Sequence, residues 1–184
     1  MIEIKTLEIA GLRGVLEALR LPFGKECRSK TDATFDMDAS EMIVNTSSSC
    51  VISPKDLKLL STLIKRGDEH AKVLRGLNVW AEINAPVWFY REIETYRIGR
   101  ERLSSESTMH INCHGLVGEE LEKAKDEIPM GHYQKTIDVF SYQCLRRIWI
   151  QRHDHRLPMW HDFCHWIENL PLAYDLIIPE YANE

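Results

Sequence analysis

The chain has 184 residues, of which 44% are apolar and 28% charged, and its formal net charge is -5. This composition is ordinary for a soluble globular protein, so we expect one domain over residues 1–184. The pI is near 5.9, which excludes a general nucleic-acid coat because nonspecific binding to a polyanion needs positive surface. We therefore expect no duplex nucleic acid as a partner.

The sequence also bears on the compartment. It has neither a basic stretch followed by an apolar core at its start nor an apolar run near the ~20 residues of a membrane span. Its five cysteines lack a disulfide-framework spacing and contain no CxxC pair, as in proteins that keep reduced thiols. We expect a cytoplasmic protein that does not contact membranes.

The N-terminal part begins with a loose alternation of apolar residues over 2–10, which predicts a strand. A helical pattern follows and ends at a Pro-Phe-Gly stretch. Residues 24–41 are polar and turn-rich and predict a loop, whereas Met42–Val44 and Cys50–Ile52 flank a polar run and predict a pair of strands. Residues 24–50 as a whole are interpreted as a loop-rich excursion.

The rest of the chain contains one strand signal and several helix signals. Ser53 and Pro54 suit the N-cap and first position of a helix. Leu77–Asn84 alternates apolar and polar residues and predicts a half-buried strand. The predicted helices run from Ser53 to about Arg66, from Pro86 to about Arg97, over Gly118–Asp126, from Gly131 to Arg152, and from Pro158 to Asn169. Early strands and late helices indicate an α+β domain rather than a doubly wound sheet.

A candidate anion site lies in the stretch Tyr96–His110, where three arginines precede a hydroxyl-rich run that ends in a histidine. Hydroxyls and backbone N–H groups donate hydrogen bonds to phosphate oxygens, and guanidinium groups add charge and fixed geometry. The two arginine clusters of the chain are Arg97, Arg100 and Arg102, and Arg146, Arg147 and Arg152. Two small clusters in an acidic protein favour a small phosphorylated ligand.

A metal site is a rival interpretation of the histidine-rich C-terminal part. The candidate ligands there are His153, His155, His161, His165, Asp162 and Cys164. His161 and His165 share a helix face with zinc-ligand spacing. The glutamate of an HExxH motif is absent, however, and Trp160 and Phe163 suit the packed face of the same helix. We predict no metal.

A cysteine nucleophile is a second rival. Cys113 is next to His114, but adjacent residues of a helix or strand point apart, and no triad spacing surrounds them. Glycine-rich phosphate loops of the nucleotide-kinase and dinucleotide types are also absent. The pattern therefore favours binding of a phosphorylated ligand over covalent catalysis.

A family resemblance rests on Glu94-x-x-Arg97 after the proline-started helix, followed by Ser105-Glu106-Ser107-Thr108-Met109-His110. This arrangement resembles the flavin-dependent thymidylate synthases, particularly short phage-borne relatives. In that family a Gln-x-x-Arg-His-Arg segment precedes a Ser-x-Arg-Tyr segment, and aligning on Arg97 places Ser107 on the family's serine. Leu63–Gly67 resembles the family's pre-strand helix, and Leu145-Arg146-Arg147 resembles its late helix with a substrate-binding arginine.

The chain departs from the family motifs at several positions. Glu94 replaces the glutamine, Ile98-Gly99 replaces the His-Arg pair, and Met109-His110 replaces the Arg-Tyr pair. A second register aligns Arg100-Glu101-Arg102 with the arginine triplet and Ser105 with the motif serine, but it misplaces Ser107. We prefer the first register, which aligns on Arg97.

The resemblance implies a central mixed or antiparallel sheet flanked by helices, and a homotetramer with nucleotide and flavin sites between subunits. It implies methylation or hydroxymethylation of dUMP, with FAD as cofactor and with methylenetetrahydrofolate and NADPH as co-substrates. The residues that it assigns to the nucleotide are Arg97, Ser105, Glu106, Ser107, Arg146 and Glu94. The residues that it assigns to the cofactor are Arg100, Arg102, His110 and His70.

Two alternatives remain open from the sequence. The lost His-Arg and Arg-Tyr pairs favour a non-catalytic protein that keeps the fold and captures a nucleotide without flavin. An oligomeric interaction protein with no small-molecule site is the third possibility. A ligand-induced rise in melting temperature distinguishes this last protein from the other two.

Overall fold

A computed structural model describes residues 1–23, 34–37, 48–67 and 69–179. Its centre is a four-stranded antiparallel sheet in the order β1-β4-β6-β5, and a two-stranded sheet pairs β2 with β3. The strands are β1 (Glu3–Ala10), β2 (Thr34–Met37), β3 (Ser48–Val51), β4 (Asn78–Pro86), β5 (Arg100–Ser105) and β6 (Tyr133–Ser141). Together with the helices, this sheet confirms the predicted α+β class.

The described helices are α1 (Leu12–Arg20), α2 (Pro54–Lys65), α3 (Val87–Ile93), α4 (Thr108–Ile111), α5 (Gly118–Asp126), α6 (Tyr142–Arg152) and α7 (Pro158–Glu168). The predicted start of α2 is correct: the Ser53 hydroxyl accepts a hydrogen bond from the Asp56 amide, and Pro54 fills the first turn. None of these helices is long and apolar enough to cross a membrane.

Strand β4 forms the middle of the sheet because it pairs with both β1 and β6. The side chains of Val79, Ala81 and Ile83 are fully buried on one face, whereas Trp80 and Glu82 on the other are half-buried. This pattern confirms the half-buried strand that the alternation predicts. The second face of the sheet is therefore only partly covered within one chain.

Helix α7 covers the buried face of the sheet with aromatic side chains. Trp160 and Phe163 are fully buried, and their rings pack against Phe89 of α3 with centroids 4.9 and 6.2 Å away. Phe140 of β6 meets the Phe163 ring at 5.8 Å. These contacts anchor α3 and α7 to the same core, so the C-terminal end of α3 has a fixed position.

The predicted long helix from Gly131 to Arg152 is wrong in its first half. Tyr133–Ser141 forms β6, and α6 begins only at Tyr142. Thr136, Asp138 and Phe140 are buried at every second position, which is the strand period. The Ser141 hydroxyl then accepts from the Cys144 amide and caps the helix.

The Gly99–His110 stretch, whose polar composition is typical of a loop, has regular structure. It contains the edge strand β5 and the short helix α4, and the helix before it ends at Ile93 rather than at Arg97. Gly99 makes the turn with φ +84°, and a Cβ there would lie 2.3 Å from the Ser141 hydroxyl oxygen. Glycine is needed at this turn for both reasons.

The excursion is described only in part. The strand predicted at Cys50–Ile52 is present as β3, but its partner is β2, in the segment 24–41 that we predict as a loop. The second predicted strand, Met42–Val44, lies outside the described residues. Residues 118–126 and 158–168 form helices at the predicted positions.

Candidate functional site

Two arginines of the predicted anion segment bind carboxylates of the same chain. Arg100 Nη2 donates to Asp138 Oδ2 at 3.0 Å, and the two side chains are 5% and 0% exposed. Arg102 Nη1 lies 3.1 Å from Glu94 Oε1, and Arg102 Nε lies 3.5 Å from Asp138 Oδ1. We call these four residues the Asp138 cluster. Its two positive and two negative charges balance.

The Asp138 cluster sits on a layer of further contacts. Arg102 stacks over the Tyr90 ring at 4.8 Å, and the Thr136 hydroxyl donates to Asp138 Oδ2 at 3.2 Å. Burial raises the pKa of Tyr90, so its phenol keeps its proton and donates to the Ile83 carbonyl at 2.7 Å. Register explains the grouping, because Arg102 faces Asp138 across the β5–β6 pair.

A cavity of about 440 Å³ lies at the end of β5 where the hydroxyl run begins. We call it the serine cavity, and it is lined by Glu82, Ser104, Ser105, Glu106, Lys135, Thr136 and Ile137. The lining thus includes Ser105 and Glu106, two neighbouring residues that the resemblance assigns to the nucleotide. Lys135 Nζ lies 3.8 Å from Glu82 Oε1, so the charged lining is two carboxylates and one ammonium.

Glu106 fastens the end of β5 to β6. Its amide donates to the Lys135 carbonyl at 2.9 Å, and its Oε2 accepts from the Lys135 amide at 2.8 Å. Ser107 follows at the N-cap of α4, where its hydroxyl makes no capping bond. The hydroxyls of Ser105 and Ser107 have no hydrogen-bond partner within the described part of the chain, and His110 is exposed. These groups are free to meet a ligand.

Arg97 lies at the opposite end of β5. It is exposed in the turn before Gly99, whose carbonyl accepts from Ser141, while Glu106 at the far end pairs with Lys135. Lys135 and Ser141 are six strand positions apart, so the two ends of β5 are ~20 Å apart. One chain therefore does not bring Arg97 and Ser107 to the same phosphate.

A second cavity, of about 430 Å³, lies near the Arg97 end, between α3 and the α6–α7 connection. We call it the arginine cavity, and it is lined by Arg91, Glu92, Thr95, Arg152, His155, Arg156 and Leu157. The sequence singles out Arg152 only as part of a basic cluster and gives no role to Arg91 or Arg156. Sequence reasoning missed this cavity because its three arginines lie on two separate segments of the chain.

The base of the arginine cavity is rigid. The Arg152 guanidinium lies 4.8 Å from the Trp160 ring centroid, and its Nε donates to the Tyr96 hydroxyl at 2.8 Å. Burial raises the pKa of Tyr96, so that hydroxyl keeps its proton and donates to Gln151 at 2.9 Å. Trp160 Nε1 donates to Glu92 Oε2 at 2.8 Å, which holds this carboxylate against the core.

Two of the predicted ligand residues lie elsewhere. Arg146 Nη1 donates to the Ile177 carbonyl at 2.7 Å and lines a third cavity of about 480 Å³ with Lys65 and Tyr174. His70 is exposed at the start of the 3₁₀ turn Ala71–Gly76. Neither residue lines the serine cavity or the arginine cavity.

Two histidines of the C-terminal part, His153 and His165, have partners on their own helices. The His153 ring stacks on Trp149 with centroids 4.3 Å apart, and His165 Nδ1 lies 3.5 Å from Glu168 Oε2. Within residues 1–23, 34–37, 48–67 and 69–179, no group of three or more His, Cys, Asp or Glu side chains could hold a metal ion.

The buried cysteines are expected to be unreactive in the folded protein. Burial raises the pKa of Cys144 to about 11 and that of Cys164 to about 12, so at about pH 8 only ~0.1% or less of either is thiolate. Iodoacetamide followed by mass analysis should leave both, and buried Cys113, unlabelled until the protein is unfolded. Rapid labelling of Cys144 or Cys164 in the native protein would contradict their burial.

The order and pairing of the elements define the fold class, which is that of the flavin-dependent thymidylate synthases. The enzyme ThyX from Helicobacter pylori, complexed with FAD and dUMP, matches with a TM-score of 0.67 and 14% identity, over 95% of this chain and 97% of that one. A second H. pylori ThyX structure with FAD and dUMP matches with a TM-score of 0.66 and 12% identity, over 100% of both chains.

A third similar structure is the UMP/dUMP methylase PolB from Streptomyces cacaoi, bound with 5-Br dUMP. It matches with a TM-score of 0.63 and 10% identity, over 96% of this chain and 94% of that one. No family model and no curated protein matches the sequence. Identities of 10–14% show the fold alone.

Two of the four residues assigned to flavin, Arg100 and Arg102, belong to the Asp138 cluster. Arg100 and Arg102 already pair with Asp138 and Glu94, and a flavin diphosphate would have to displace those carboxylates at a desolvation cost. His70 and His110, the other two, are exposed. Within the described residues, the buried Nε of both arginines and Nη2 of Arg102 have no hydrogen-bond partner.

Proposed function

We propose that the protein binds a uridylate-type pyrimidine nucleotide at a site shared between two copies of the chain. The observation that carries this proposal is the hydroxyl-rich end of β5, where Ser105 and Glu106 line the serine cavity and Ser107 is next in the chain. The proposal is supported by the fold, which the chain shares along its length with proteins crystallised with dUMP or 5-Br dUMP.

Each residue has a chemical role in the proposed site. The hydroxyls of Ser105 and Ser107 donate to the 5′-phosphate, and Lys135 adds a positive charge. The Glu106 carboxylate uses Oε2 for the Lys135 amide, which leaves Oε1 to accept from a sugar hydroxyl or the ring N–H. Glu94 and Arg146 are outside this site, because Glu94 pairs with Arg102 and Arg146 binds the Ile177 carbonyl.

Charge explains why a second copy is needed. The serine cavity has two carboxylates and one ammonium, so a phosphate would be repelled without further positive charge. Arg97 is exposed and too far away in the same chain, but Arg97 of a second copy can supply a guanidinium. A pair of copies suffices for this site, and the tetramer that the resemblance implies is two such pairs.

A second candidate function is flavin-dependent methylation or hydroxymethylation of dUMP, with methylenetetrahydrofolate and NADPH. The fold shared with ThyX and PolB favours it. The Asp138 cluster favours capture of the nucleotide without flavin, since the two arginines nearest the motif are already paired. We take nucleotide binding as the function that the geometry supports best.

The absorbance of the purified protein distinguishes nucleotide capture from flavin-dependent catalysis. The freshly purified protein is examined by absorbance, and the small molecules released on denaturation are identified by mass. A colourless protein that retains a pyrimidine nucleotide supports capture. Stoichiometric FAD in the released fraction supports the synthase-like enzyme and contradicts capture without flavin.

The Arg97→Ala and Ser107→Ala variants are each expected to weaken dUMP binding at least about tenfold, because each removes a hydrogen bond to a charged group. Calorimetric titration measures the affinity, and circular dichroism checks that the fold is intact. Arg66→Ala is the matched control, since Arg66 is exposed at the end of α2 and lines neither cavity. Unchanged affinity in both variants would refute the proposed site.

Mixing the two variants tests whether the site is shared. In an oligomer of Arg97→Ala and Ser107→Ala chains, one site of each mixed pair contains both native residues. Random assortment should restore about a quarter of the wild-type sites, since about half of the pairs are mixed. No recovery in verified mixed oligomers would show that Arg97 and Ser107 do not meet across copies.

A further inference from the structure

We propose that the arginine cavity binds a diphosphate group, at a site separate from the serine cavity. Three arginines, Arg91, Arg152 and Arg156, line one cavity of about 430 Å³. Guanidinium groups match the geometry of phosphate oxygens and stay charged at any physiological pH. The volume is within the usual range for small-molecule sites.

The charges of this cavity are unbalanced, in contrast to the Asp138 cluster. Its lining has three arginines against one carboxylate, Glu92, which already accepts from Trp160. Arg91 and Arg156 are exposed and have no carboxylate partner in the described part of the chain. An excess of two positive charges suits an anion with at least two negative charges.

The fixed parts of the cavity favour phosphate over a nucleobase. Arg152 is held between the Tyr96 hydroxyl and the Trp160 ring, so its guanidinium is oriented before a ligand arrives. His155 Nδ1 accepts from the Leu157 amide, which places the proton of the neutral ring on its other nitrogen, a further donor. The lining contains no Phe, Tyr or Trp on which a base could stack.

Inorganic pyrophosphate is the probe. Titration calorimetry on the full chain should show pyrophosphate binding more tightly than inorganic phosphate, because two phosphate groups reach more of the three guanidiniums. Arg91→Ala and Arg156→Ala should each weaken pyrophosphate binding at least about tenfold, while Arg66→Ala leaves it unchanged. The absence of pyrophosphate binding, or equal binding by the Arg91→Ala/Arg156→Ala double variant, would overturn the proposal.

Cross-tests keep this site distinct from the proposed nucleotide site. The double variant should retain dUMP affinity, and Ser107→Ala should retain pyrophosphate affinity. Loss of both ligands in either variant would refute separate sites, whereas loss of dUMP binding alone in Ser107→Ala supports them. Competition then identifies the source of the diphosphate: displacement of pyrophosphate by dUTP indicates a nucleoside polyphosphate, and displacement by FAD but not dUTP indicates a dinucleotide.

Discussion

Replacing Asp138 by alanine is expected to lower the free energy of unfolding by about 3–5 kcal/mol, the usual cost of leaving a buried charge without its partner. Asp138 is fully buried and is the carboxylate nearest to Arg100, whose side chain is only 5% exposed. Its loss leaves that guanidinium in the protein interior without a counter-charge. Urea unfolding followed by circular dichroism measures the change.

The controls for Asp138 separate charge from shape. Glu101→Ala changes an exposed carboxylate on the same edge strand and should alter stability by less than about 0.5 kcal/mol. Asp138→Asn keeps the size of the side chain but removes the charge, so it should be destabilising as well. A loss below about 1 kcal/mol in both Asp138 variants would show that the cluster does not stabilise the fold.

Replacing Trp160 by alanine is expected to cost about 3–5 kcal/mol, the range for truncating a fully buried large aromatic residue. Trp160 packs against Phe89 at 4.9 Å and Tyr96 at 6.0 Å, and it also lies beneath Arg152. The substitution therefore opens a void in the core and removes the support of the arginine cavity. Thermal and urea unfolding give the loss of stability.

Trp88→Ala is the matched control for Trp160, because Trp88 lies on α3 with only part of its surface buried. Its ring contacts Phe89 at 6.2 Å, and its truncation should cost clearly less. Equal losses for the two tryptophans would contradict the central place of Trp160 in the core. Pyrophosphate affinity, measured on variants that still fold, should fall for Trp160→Ala and not for Trp88→Ala.

Local signals were enough to predict several elements. The Ser53-Pro54 start of α2 depends on one capping hydrogen bond and one proline, and the β4 alternation reflects burial on a single face. These features lie within a few residues of each other, so the sequence shows them directly. The fold class follows from their order.

Strands β5 and β6 could not be predicted in this way. Ile137 and Phe140 of β6 match a helical spacing together with Cys144 of α6, and only the pairing of β6 with β4 decides for a strand. Strand β5 is almost entirely polar and has no apolar alternation. It forms because its arginines meet Asp138 on β6, a partner far away in the sequence.

The local part of the candidate site could be predicted from the sequence, but the part that joins distant segments could not. Ser105 and Glu106 are adjacent, so their common position at the serine cavity follows from the chain itself. The arginine cavity joins Arg91 to Arg152 and Arg156, about sixty positions later. These side chains come together only because α3 packs against α7, and no local sequence pattern indicates that packing.

The measurement that tests the central proposal most directly is calorimetric titration of the purified full chain with dUMP, with deoxyuridine as the ligand that lacks the phosphate. We expect saturable binding of one dUMP per chain in an oligomer, and at least about tenfold weaker binding of deoxyuridine. Absence of dUMP binding, or equal affinity for the two ligands, would contradict a phosphate-anchored uridylate site.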